Sequence, residues 1–434
     1  MRETTAFIIS HEPDTSRTEK DQAISIIALT LTRALGRAGV KVVRVHPNLF
    51  DDSLSSRYCQ ATEICPDLYH SESELTRFLT DLRSRYPGKK VLIPASDDCS
   101  LYMARNEDDL STEYILLNPS ADTMESVKDK RRQYELATTI GVPIPETYFP
   151  ESVEELEDLA AGLNGYPYVI KPLEAQKWRL RQYANVSSGR KAITVHNREE
   201  LINEYQRISV DDSNLMVQEI IGGNDDQLFT FLGYCSPQHK PLAHCIRSKL
   251  RQAPVDFGYC TATVSCQNAV IEQYSRRLLE RSEYTGIVGI EFKFDSEVND
   301  YKLIEINTRP VNTIGLSIGC GVNLPVIAFS DAAGQEQEPV TDWEDGVIWI
   351  RLSQDIGAAL ELRRRGRLSF IDWLRSIRGK RVHAVLATDD LRPFVQFYSR
   401  YIGRQFSKLA EISRVPSLSR FTRRCLQRVS AWVL

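Results

Sequence analysis

Apolar and polar positions divide the chain into three stretches of different rhythm. At the start, short β-branched runs at 6–10, 40–45 and 91–95 are separated by segments at 23–38 and 72–85 whose apolar residues recur at helical spacing. Gly36 and Gly39 close the first of these helices. Strands of this kind, about thirty residues apart and joined by amphipathic helices, predict a parallel sheet over residues 1–120. Its strands end in Ser10-His11-Glu12 and Ser96-Asp97-Asp98, and ligands of open α/β sheets gather outside such ends. No G-x-G-x-x-G follows them, so a dinucleotide site is not supported.

The second stretch, 121–335, does not alternate strictly. It opens with a helix at 126–140, a Gly-Val-Pro turn, and a second helix announced by the capping box Ser152 to Glu155. Apolar runs follow at 168–171, 192–195 and 215–221. A β-rich series then covers 229–234, 242–246 and 259–264, and a helix at 270–283 precedes two last strands at 288–295 and 301–306. Strands and helices in blocks predict α+β architecture. The third stretch, 336–434, reads as mostly helical, with Leu391, Phe394, Val395, Tyr398, Tyr401, Ile402 and Leu409 at helical spacing.

Charge sharpens this division. The formal net charge of the 434-residue chain is −4, yet residues 347–434 hold 16 Arg and 2 Lys against 6 acids. The remainder is therefore acidic, and the basic end is expected to cap the folded body, with an anionic membrane surface as the rival reading and nucleic acid as the weakest. The nine cysteines show no metal-ligand spacing, which predicts reduced thiols and a cytoplasmic setting. No signal peptide and no apolar run of about eighteen residues are evident.

Chemistry concentrates near residue 300. Gly289-Ile-Glu-Phe-Lys-Phe-Asp295 and Tyr301-Lys-Leu-Ile-Glu-Ile-Asn-Thr-Arg309 place Glu291 and Glu305 on neighbouring strands in apolar surroundings, where an uncompensated carboxylate is costly. Period-two alternation sets Glu305, Asn307 and Arg309 on one face. Such hard oxygen donors suit Mg2+ shared with phosphate oxygens, and an arginine beside them can grip an anion. Upstream, Lys130 lies on a helix, Lys171 ends a strand, and Leu215-Met-Val-Gln-Glu219-Ile-Ile221 runs into a glycine turn with Asp225 and Asp226 beyond it.

In this order, these pieces resemble the ATP-grasp superfamily over roughly residues 120–325. The resemblance implies an ATP-grasp fold, with a lid at 172–191, behind a Rossmann-like domain, and ATP and Mg2+ as cofactors. It also implies that Lys130 and Lys171 contact phosphate, Glu219 and Ile221 form the adenine hinge, and Asp226 takes the ribose. Glu291, Glu305 and Asn307 would hold metal, and Arg309 would sit by the transferred phosphoryl group. The string Ile246-Arg-Ser-Lys-Leu-Arg251 points to the carboxylate–amine ligase branch, resembling D-aspartate ligases, with Arg251 as a further catalytic cation. Small carboxylate and amine substrates, among them amino acids, are then expected; a sensor without ligation and a kinase-like outcome are the alternatives. Two departures stand out. Between Pro172 and Lys191 only Gly189 is present, amid Lys177, Arg179, Arg181 and Arg190, whereas a phosphate-closing lid is normally glycine-rich. Pro310-Val-Asn follows Arg309 and no biotin-attachment Met-Lys-Met occurs, which disfavours carboxylation.

Overall fold

A computed structural model describes residues 4–11, 19–49, 51–173, 178, 186, 192–256 and 258–399. The first sheet has the order β3-β2-β1-β4-β5, built from β1 (Thr4–Ile9), β2 (Lys41–His46), β3 (Ala61–Ile64), β4 (Lys89–Pro94) and β5 (Ile115–Leu116). Every pairing in it is parallel. Along β1, Ala6 and Ile8 enter one core while Phe7 and Ile9 enter another, so both faces of the sheet are covered by helices. That is why these strands read as continuous apolar runs.

A small antiparallel sheet of order β6-β9-β7-β8 comes next, from β6 (Thr147–Tyr148), β7 (Tyr168–Pro172), β8 (Ile193–Val195) and β9 (Leu215–Glu219). Helices Val153–Gly162 and Arg198–Ser209 pack on it through Leu156, Ala160, Leu201 and Tyr205, giving this lobe a core of its own. Ser152 caps the first of them as its capping box predicts, Oγ accepting from Glu155 N at 3.1 Å.

The largest sheet has the order β14-β13-β10-β11-β12-β15-β16. Its members are β10 (Leu228–Cys235), β11 (Pro241–Ala253), β12 (Tyr259–Cys266), β13 (Gly286–Asp295), β14 (Asp300–Asn307), β15 (Ile348–Ile350) and β16 (Arg381–His383). Its core runs without a break into the first domain, joining Phe231, Ile290 and Phe292 to Ala6 and Ile8.

Three local readings are corrected. The helix expected at 126–140 is two helices, Ala121–Lys128 and Lys130–Thr139, because Asp129 turns extended and caps Arg132 N at 2.9 Å. The stretch from 336 is not helical throughout, since β15 and β16 extend the large sheet. The cap carries the unexpected sign: two acids of the basic end, Asp389 and Asp390, bind Arg37 and Arg33 of the first domain. Arg33 Nε reaches Asp390 Oδ2 at 2.9 Å and NH1 the Val385 carbonyl at 2.8 Å, while Ser56 Oγ donates to Asp390 at 2.7 Å. Ala384, Val385 and Phe397 join the main core beside this clamp.

The eight described cysteines are all free thiols. Among the described residues no helix is long and apolar enough to cross a membrane. The basic residues from 400 onward, on which the membrane reading chiefly rests, lie outside the described residues, as do Lys177, Arg179, Arg181 and Arg190 of the expected lid. Trp178 is held to the small lobe, Nε1 donating to Asp212 Oδ2 at 2.9 Å.

Candidate active site

Antiparallel register sets Glu291 of β13 directly opposite Glu305 of β14. Thr230 of β10 is opposite Glu291, and Arg247 of β11 opposite Thr230, so the four side chains form a row on one face of the sheet. Asn307, two residues beyond Glu305, pairs with Gly289. A side chain at Gly289 would bring its Cβ to 2.7 Å from Val311 Cγ1, so only glycine fits beneath the Asn307 amide. Two carboxylates and an amide thus share one surface. Among the described residues no group of three His, Cys, Asp or Glu side chains is placed to hold a metal. Glu291, Glu305 and Asn307 are hard oxygen donors of the type that suits Mg2+ shared with phosphate oxygens and water.

Lys130 heads its helix beside this triad. Its Nζ donates to the Ile304 carbonyl at 3.1 Å and to Gln133 Oε1 at 3.3 Å, and it faces the Tyr134 ring. Burial pulls its pKa below the ordinary lysine value, opposed first by the charge of Glu305. Lys171, on β7 of the small lobe, reaches Gln218 Oε1 at 2.6 Å.

Arg309 is held from the first domain. Its NH2 donates to Asp97 Oδ2 at 2.8 Å, and the other Asp97 oxygen accepts from Lys128 at 2.6 Å. Ser100, on the same helix as Asp97 (Asp97–Arg105), donates to the Thr308 carbonyl at 2.8 Å. The Ser96-Asp97-Asp98 strand end therefore does meet the candidate site. The Ser10 end does not: Ser10 Oγ accepts from buried Arg44 at 2.7 Å, His11 is bonded to Cys65 and Leu68, and Glu12 lies outside the described residues.

The hinge is more committed than its sequence suggested. Glu219 accepts from Lys302 at 2.5 Å and from Glu146 N at 2.8 Å, so its carboxylate is engaged and only the adjoining backbone up to Ile221 is left to face a base. Asp226 is exposed in a turn that Lys293 holds through the Gly223 and Asn224 carbonyls, at 3.2 and 2.7 Å. Its neighbour Asp225 turns inward to Gln252 at 2.7 Å, and burial raises its pKa against the pull of Lys249.

Arg251 leaves the catalytic set. A register shift on β11 between Lys249 and Arg251 breaks the period-two alternation that would set Arg247, Lys249 and Arg251 on one face. The Arg251 guanidinium forms a two-pronged pair with Asp355 at 2.8 and 3.0 Å and donates to Ser376 at 2.6 Å. Thr261 and Trp373 complete the same buried carboxylate. A cation so fully consumed is a fastener between the sheet and the helix Leu352–Arg364. Arg247 is the member of that trio that faces the acids: it is 1% exposed, stands 3.9 Å from Glu291, and has no partner at Nε. Arg251 and not Arg247 was singled out by sequence, because alternation alone carries no signal for choosing between them.

Residues 242–354 match the family described as "ATP-grasp in the biosynthetic pathway with Ter operon". A D-aspartate ligase of Enterococcus faecium is 24% identical over 297 residues, 64% of this chain and 68% of that protein. Biotin carboxylase from Campylobacter jejuni superposes with a TM-score of 0.60 at 16% identity, over 79% of this chain and 74% of that one. An L-amino acid ligase from Bacillus licheniformis does so at 0.56 and 14%, over 78% and 76%. The fold is that of ATP-grasp proteins, and residues 242–354 carry the match to an ATP-grasp family. Ligases are thus among the proteins it resembles.

Proposed function

We propose that this chain is an ATP-dependent carboxylate–amine ligase, joining a small carboxylic acid to an amine through an acyl phosphate and releasing ADP and phosphate. The observation that carries this reading is the Glu291–Glu305 pair with Asn307 on the same face and the Lys130 ammonium buried beside it. A site that only held a nucleotide would not need two acids and an amide on one surface.

Glu291, Glu305 and Asn307 would hold Mg2+, which when bound neutralises the triphosphate and makes its terminal phosphorus more electrophilic. Lys130 and Lys171 bind the phosphate tail from opposite lobes. The purine lies against the backbone of Glu219 to Ile221, with Asp226 near the ribose. A substrate carboxylate oxygen attacks the γ-phosphorus in line and ADP leaves. Arg309, kept in place by Asp97, stabilises the transferring group and then the acyl phosphate. The amine nitrogen next attacks the acyl carbon, and the carbon–oxygen bond to phosphate breaks. Exclusion of water from the site would protect the acyl phosphate from hydrolysis. One relative is named a D-aspartate ligase and another an L-amino acid ligase, which favours an amino acid as one of the two substrates. Reduced cysteines and a need for ATP suit a cytoplasmic setting.

The test is incubation with ATP, Mg2+ and pooled amino acids in hydroxylamine. A hydroxamate with stoichiometric ADP supports the ligase. A stable phosphorylated small molecule replaces it with a kinase, and no nucleotide turnover with any pool replaces it with a sensor.

A further inference from the structure

Gln218 lies on β9, is 1% exposed, and was not among the residues singled out by sequence. Its amide makes three hydrogen bonds: Oε1 accepts from Lys171 at 2.6 Å, and Nε2 donates to Tyr134 OH and to Thr147 Oγ1, both at 2.9 Å. The chemistry of the partners fixes which way the amide points. Tyr134 spends its proton on the Ile304 carbonyl at 3.2 Å, and Thr147 spends its own on Pro145 O at 2.8 Å. Both oxygens can therefore only accept from Gln218, so the amide nitrogen must face them and the amide oxygen must face the lysine.

The Ile304 carbonyl also accepts from Lys130. A continuous path thus runs Lys171, Gln218, Tyr134, Ile304, Lys130, from the small lobe to the strand that carries Glu305. Each link is buried or half-buried, where hydrogen bonds compete least with water. A neutral acceptor is the right choice for the first link. It orients an ammonium group without cancelling its charge, whereas a carboxylate in its place would compete with phosphate.

We propose that Gln218 is a positioning residue that aims Lys171 and, through Tyr134, sets its separation from Lys130, so that the two cations are spaced for a nucleotide's phosphate tail. This rests on the nucleotide-binding part of the function proposed above.

The experiment measures binding of Mg-AMP-PNP and of adenosine to the full chain by calorimetry. Gln218→Met, of similar volume, is expected to weaken Mg-AMP-PNP about tenfold while leaving adenosine binding unchanged, because a hydrogen bond to a charged group is lost. Tyr134→Phe should weaken it in the same direction by about threefold, since only the far end of the path is cut. Unchanged Mg-AMP-PNP binding in Gln218→Met overturns the proposal. So does an equal loss for both ligands, which marks a merely structural residue. If Gln218→Met does not fold, unchanged binding in Tyr134→Phe decides against it. Failure of the wild-type chain to bind either ligand overturns the nucleotide reading itself, and this inference with it.

Discussion

Asp97 and Arg309 are joined by a 2.8 Å ion pair although 212 residues separate them. One belongs to the parallel-sheet domain, the other to the segment leaving β14. Asp97 also receives Lys128, so a single carboxylate balances two cations at the edge of the candidate site. The first domain thereby supplies a side chain to the candidate site.

Asp97→Asn should therefore act twice. Stability should fall by about 2 kcal/mol, less than the roughly 3–5 kcal/mol for breaking a fully buried pair because Lys128 and Arg309 keep some contact with water. Turnover should fall further than the loss of folded protein explains. Urea unfolding and kcat on the folded fraction check the two parts separately.

Glu305→Gln keeps the shape of the row and removes one ligand charge. ADP release should drop by about a hundredfold or more, as when a preorganised charge-stabilising group is deleted. Near-normal ADP release in this variant would refute the metal assignment.

The opposite pattern is expected at Arg251. Arg251→Met leaves Asp355, 0% exposed, without its countercharge, and unfolding should become easier by about 3 kcal/mol. The surviving folded enzyme should retain its KM for every substrate. A changed KM with unchanged stability would return Arg251 to the active site.

Acid should open the clamp at the basic end. Burial works against ionisation of Asp390, but the Arg57 N–H, Arg33 and Ser56 outweigh it and hold its pKa below the ordinary 3.8. Asp389 is lowered more strongly, first by its hydrogen bond to Arg37. A carboxylate depressed in the folded state contributes stability that is fully present above its unfolded pKa and is lost as pH falls from there through its folded pKa. Amide exchange at Val385 to Asp390 should therefore quicken below pH 3.8 while the β1 and β4 amides remain protected. Equal quickening of all three would show general acid unfolding instead.

Much of the architecture could be read from residue patterns alone. The runs at 6–10, 91–95 and 288–295 are strands because both their faces or one whole face are apolar, a signal that survives without any knowledge of neighbours. The pairing of Glu291 with Glu305 follows from a short turn and a period of two. What could not be read was long-range pairing. β15 and β16 are three residues each, too short to carry a period, and become strands only because β12 offers an edge to β15 and β15 one to β16. The fate of Arg251 depended on Asp355, 104 residues away, and the commitment of Glu219 on Lys302, 83 away. Gln218 escaped notice because a glutamine inside an apolar strand gives no hint that a lysine, a tyrosine and a threonine converge on it.

The clamp from Arg33 to Asp390 spans 357 positions of the chain. While the polypeptide is being synthesised, the first domain emerges early, yet Arg33 has no acid to meet until nearly all of the described chain has left the ribosome. Until then, a guanidinium destined for the interior stays wet. This contact therefore cannot form before residue 390 has been made, and a truncated chain stopping before residue 384 would leave that side of the parallel sheet unsealed.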